Sequence, residues 1–204
     1  MPPDLSIQPQ AFQLHLQFHQ PTSNFQSPFH CPPNFIMVSL YDIIVPTYIN
    51  GLKNLAHIVK KGEAWAKENN VAETDITSLR LHPDMLPFTF QIQCASNGAK
   101  NFVSRALGET VESWADDETT FAELQARIAK TIALFESLDA SKFDGLETKE
   151  VVMTIRGEEH KFTGLTFWLR FAQPNFFFHV TTAYDILRNK GVPLGKLDYL
   201  RGGL

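Results

Sequence analysis

Four stretches between residues 39 and 190 repeat apolar side chains in alternating steps of three and four, and that period restricts the chain to packed amphipathic helices. In the first, about Ser39 to Lys61, Leu40, Ile44, Tyr48, Leu55, Ile58 and Val59 share a face. Pro46 is expected to kink this helix or to mark its real first turn. A short "EAWAKEN" piece and a polar linker to about Arg80 follow. The second helix is expected to open at "HPDM", with Pro83 and Asp84 in its first turn. Its seam runs through Met85, Phe88, Ile92, Ala95, Ala99, Phe102 and Ala106 and stops at Gly108.

The third helix announces itself by a cap. Thr119 or Thr120 precedes Phe121, and Glu123 stands where a capping box needs it. Phe121, Leu124, Ile128, Phe135 and Leu138 form the inner stripe, with Thr131 within it. Residues 151–163, "VVMTIRGEEHKFT", break the helical period and read as a β-hairpin over one end of the bundle, with His160 exposed. The last helix, about Thr163 to Lys190, ends at Gly191 and Pro193 and is kinked or divided at Pro174. The expected fold is all-α: a four-helix bundle with a small β-hairpin before the last helix.

Residues 1–36 have another composition. They contain no Lys, Arg or Glu and one acid, Asp4, with prolines at 2, 3, 9, 21, 28, 32 and 33. The prolines exclude a long helix, and the aromatics have no period, so this segment reads as a disordered or non-native extension to a domain at 37–204. Met37 is a candidate start. His15, His19, His30 and Cys31 match no zinc spacing. The formal charge of −4, without a Lys/Arg stripe, points away from nucleic acid and anionic membranes. No apolar run is long enough to span a bilayer. Two cysteines make no disulfide framework, no secretory signal opens the chain, and the cytoplasm is the expected compartment.

One residue stands out on the last helix. Its seam, Ala172, Phe176, His179, Ala183 and Ile186, aims His179 at the middle of the bundle. Asn175 and Thr182 lie near its face, while Tyr184 lies off the stripe. A buried imidazole needs partners. It is either structural, bonded to a hydroxyl, an amide or a backbone carbonyl, or it faces a cavity where it moves protons or binds metal. The second helix supplies His82 at its entry, with Asp84 and Gln91 on a strip beside the seam.

The candidate site is therefore His179 as general acid or base, Asn175 and Gln91 orienting a small, partly apolar substrate, and His82 and Tyr184 at the rim. The alternative is a ligand carrier or a dimeric scaffold with no chemistry, since such bundles leave an apolar helix face for a second copy. No metal ligand is assigned. A divalent metal would need His57, His82 and His179 at one level of the bundle, and no Glu-x-x-His pair exists for a di-iron site. No phosphate loop, G-x-S-x-G elbow or C-x-x-C occurs. Cys94 reads as a small core residue. Asp116, Asp117 and Glu118 read as charges at the third helix's N-terminus.

The blocks "RLHPDMLPFTFQIQ" at 80–93, "TFAELQARIAKTIAL" at 120–134 and "PNFFFHVTTAYDILRNKGVPLGKLDYL" at 174–200 resemble the DUF1993 family, a domain of unknown function. That family is similar to the DinB/YfiT-like four-helix bundles. The resemblance implies their fold and, in many members, a divalent metal on three histidines: one from the second helix, two from an H-x-x-x-H pair on the last. His179 would be the first of the pair. Ala183 takes the place of the second and cannot ligate, and His82 precedes the second helix. A divergent metal-dependent enzyme is thus the further alternative.

Overall fold

The computed structural model describes residues 38–202. The readings made of residues 1–36, including His15, His19, His30 and Cys31, lie outside them. Helix α1 (Leu40–Glu68) is one continuous element of 29 residues, so "EAWAKEN" extends the first helix instead of forming its own. Ser39 caps it by accepting from the Asp42 amide, and Pro46 sits in the helix with its ring toward solvent. Gly62 sustains the inner face beyond Lys61. A Cβ there would come within 2.8 Å of Leu187, so only glycine lets the helices approach this closely. The linker holds a short helix, α2 (Glu73–Thr77), seated by Ile76, with Glu73 accepting from the Phe121 amide.

The second helix starts later than "HPDM". Helix α3 runs Phe88–Phe102 with Pro87 as its N-cap, and residues 82–87 form turns. Pro83 and Pro87 hold the residues before them extended, and the Phe88 amide bonds the Leu79 carbonyl at 2.8 Å. Met85 thus drops out of the seam. The helix widens at Val103–Leu107 and stops at Gly108, whose φ of +81° is in the left-handed region. Helix α4 (Phe121–Glu136) has the expected capping box between Thr120 and Glu123. Leu138 falls past its end.

A 3₁₀ turn (Ala140–Phe143) leads to the hairpin of β1 (Glu150–Ile155) and β2 (Glu158–Thr163), paired antiparallel with Val152 opposite Lys161 and Met153 opposite His160. Arg156 and Gly157, both at positive φ, make the tight turn. His160 is half-buried, not exposed.

The last helical stretch has three parts: α5 (Gly164–Phe167), a wide turn at Trp168–Ala172, and α6 (Gln173–Lys190). Pro174 has no N–H to give, and its ring would strike the carbonyl four residues back; widening the preceding turn relieves both. Gly191, at φ +107°, ends α6, and a short α7 (Lys196–Arg201) returns against α1.

Helix α1 packs mainly on α4, and α3 mainly on α6. Each contributes one ring to a closed aromatic centre. Tyr48 of α1 lies 5.7 Å from Phe102 of α3, 4.7 Å from Phe135 of α4 and 5.1 Å from Phe176 of α6. The Tyr48 hydroxyl is buried there with no hydrogen-bond partner among the described residues, and burial pushes its pKa up.

Candidate functional site

The core face of α6 carries Phe176, Val180, Ala183 and Leu187. His179 stands about 60° around the axis from Phe176, at 3.6 residues per turn. That turns it from the bundle centre toward α3 and leaves it half-buried. The inward placement expected from the seam is corrected accordingly. Thr182 is buried but spends its hydroxyl on the Phe178 carbonyl at 2.7 Å.

Gln91, in the second turn of α3, meets His179. Its Nε2 donates to the Leu86 carbonyl at 2.9 Å, and its Oε1 lies 2.9 Å from His179 Nδ1. The Leu86 oxygen only accepts, so the amide nitrogen must face it and the amide oxygen must face the ring. Nδ1 therefore carries the hydrogen and donates to Gln91. In the neutral ring Nε2 keeps its lone pair, with no protein partner among the described residues. Burial lowers the His179 pKa below its ordinary 6.5, and Phe90 and Phe178 set ring edges against it at 6.5 and 5.2 Å. Both polar ends of Gln91 are thus committed, so it positions the imidazole and is not free to orient a substrate.

His179 borders a groove of about 220 Å³ between α3 and α6, closed at one end by Met153 of the hairpin and by Phe167 and Phe171. Asn175 lines it one turn before His179. It is accommodated by Gly98, where a Cβ would stand 3.1 Å from the Asn175 amide nitrogen. Cys94, Asn97, Asn101 and Arg105 complete the α3 wall. Cys94 is half-buried on this wall and not in the core. Burial first, and Asp116 next, push its thiol up to about 11, so it is no thiolate at neutral pH.

The two remaining expected residues are elsewhere. His82 is exposed in the turn before α3, 2.5 Å from Asp84 Oδ1, and does not line the groove. Tyr184 points its hydroxyl at the Leu194 carbonyl, 3.4 Å away, and its ring against Tyr199 of α7. The structure joins Gln91 and Asn175 to His179 but not these rim residues. Sequence reasoning missed Arg105 and the α3 asparagines. The signal was there: Cys94, Gly98, Asn101 and Arg105 recur in steps of four, three and four alongside the apolar seam.

A second polar centre lies between α3 and α4. The Arg127 side chain is 2% exposed; Nη1 donates to the Ala115 carbonyl (2.7 Å) and Glu118 (2.6 Å), and Nη2 to Asn97 Oδ1 (2.9 Å) and Asp116 (2.7 Å). Asp116 and Glu118 therefore clasp a guanidinium, which corrects their reading as charges at the N-terminus of α4. Trp114 of the same loop receives Lys100 and Lys130 at 4.9 and 4.5 Å from its ring centre.

A three-histidine metal site does not fit these residues. Ala183 is packed into the core at 0% exposure, and His82 is engaged in its turn. His57 bonds Asp198 of α7 at 3.0 Å. Among the described residues no three His, Cys, Asp or Glu side chains stand close enough to hold one ion.

Three comparisons with known proteins bear on this geometry. The family model described as "Domain of unknown function (DUF1993)" matches residues 40–200. A crystal structure of a DinB family member protein from Shewanella denitrificans is 39% identical, with a TM-score of 0.74 over 79% of this chain and 91% of that one. No curated protein matches the chain.

Proposed function

We propose, from the premise that the chain belongs to the DUF1993 family and folds as a DinB-like bundle, that it binds a small molecule between α3 and α6 and that His179 moves a proton there. The observation that carries this reading is the Leu86–Gln91–His179 relay. It fixes Nδ1 as the donor and leaves Nε2 with a free lone pair beside the groove. A lowered pKa keeps that lone pair available at neutral pH, as a general base requires. When Nε2 takes a proton, the Nδ1–H bond to Gln91 persists, so the ring holds its orientation through the transfer. Asn175 would present its amide to a polar group of the ligand, while Phe167 and Phe171 exclude water from one end. No step runs through a metal. No described helix is long and apolar enough to cross a membrane.

The test is a fragment screen read on the imidazole resonances of His179. Ligands that move Nε2 in the wild type and lose affinity in His179→Ala, at an unchanged melting temperature, support a site. A variant that melts lower and binds the same fragments equally well contradicts it. A second reading has His179 only tying α6 to α3 in a ligand carrier or homodimer. The 57% exposure of Phe178 next to it favours this. Sedimentation of the wild type against Phe178→Ser separates the dimer from the monomer.

A further inference from the structure

We infer that the α3–α6 groove takes a small carboxylate, with its carboxyl group on Arg105 and its apolar part against Phe167, Phe171 and Met153; this rests on the groove reading proposed above. The wall carries no Asp or Glu, and its ordinary cation is Arg105. Arg105 has no acidic partner within ion-pair distance among the described residues. Among the described residues its one side-chain hydrogen bond is from Nη1 to the Met153 sulfur at 3.9 Å, a weak acceptor that leaves the guanidinium fork available to a ligand. Elsewhere in the molecule the acids near α3 are spent. Asp116 and Glu118 are bound by Arg127, and Asn97 is held between Arg127 and Asp116. Arg105 is thus a groove-lining guanidinium without a counter-ion, and a planar carboxylate matches its fork with two parallel bonds.

The rest of the groove sets the size and shape of the ligand. A volume of about 220 Å³ accommodates a compact organic acid. Phe167 and Phe171 are stacked 5.9 Å apart and nearly parallel, offering a flat apolar face beside Met153. Asn101 and Asn175 can bond a further polar substituent. Gln91, which holds His179, and Arg105 are 14 residues apart along the helix, about 21 Å at 1.5 Å per residue, so an acid seated on Arg105 lies toward the other end of the groove from the imidazole.

Benzoate and its neutral isostere benzamide test this on the full chain, followed by NMR of the Arg105 side chain and the Asn175 amide. Benzoate is expected to move both and to bind about tenfold tighter than benzamide, the size of one charge-assisted pair. In Arg105→Gln that preference should vanish with benzamide binding unchanged, while Arg105→Lys should keep part of it. Arg105 is exposed near the end of its helix, and melting curves check that both variants fold. Equal binding of the two probes, or benzoate binding that Arg105→Gln leaves intact, overturns the carboxylate while the groove stands. If neither probe moves Asn175, the groove reading fails and the carboxylate with it.

Discussion

Arg127 and His179 reach α3 from its two neighbours, one from α4 and one from α6, and each bonds an amide side chain on it: Asn97 and Gln91. The outcomes differ. Arg127 is closed off: its two terminal nitrogens make four donations to two acids, an amide and a carbonyl, while its Nε lies buried without a partner among the described residues. Among the described residues His179 makes one side-chain bond, is half open, and keeps a nitrogen without a protein partner. A buried polar group with most of its donors engaged fastens a loop to a bundle. An unsaturated one at the edge of a groove has capacity left for a ligand.

The comparison breaks first at Arg127. Arg127→Met leaves the partly buried Glu118 without its cation, while the exposed Asp116 returns to water, and should cost about 2 kcal/mol in urea unfolding, less than breaking a fully buried pair. A loss below about 1 kcal/mol would mean the 108–120 loop is not fastened there. Tyr48 sharpens the same idea from inside the core. Its hydroxyl lies buried between four helices without a partner among the described residues, so Tyr48→Phe should raise stability by about 1 kcal/mol, read as a higher urea midpoint. A destabilised variant would show that the hydroxyl has a partner.

His179→Gln should cost less, about 0.5–1 kcal/mol, since one half-exposed hydrogen bond is at stake. The smallest effect is a pH dependence. Burial disfavours charged His179 in the fold, so its folded pKa is below the unfolded one, ordinarily 6.5. The unfolded chain then binds more protons in that interval. Stability should be full above it and fall as the pH drops through 6.5 toward the folded pKa. Urea titrations across that window should show a slope in the wild type that His179→Gln reduces.

Much of the fold was legible because its signals are local. The Thr120–Glu123 box, the stops at Gly108 and Gly191, and the "RGEE" turn each act within a few residues. The start of α3 was misread because Pro83 is acceptable in a first turn, whereas Pro87 four residues later forces the real beginning onto Phe88. His179 was misplaced by one stripe. Phe176 and Ala183 belong both to the seam through His179 and to the one through Val180, and only the packing of α6 on α1 and α3 decides between them. Arg127, beside a clean apolar stripe, gave no sign of its burial. The six-residue α7 is too short to carry a period.

The most direct test of the central claim is a long-range ¹H–¹⁵N correlation spectrum of the histidine-labelled chain near neutral pH, beside Gln91→Leu. The account predicts a neutral His179 with the hydrogen on Nδ1 and an unprotonated Nε2, and loss of that tautomer preference in the variant. A hydrogen on Nε2, or an imidazolium at that pH, would contradict it.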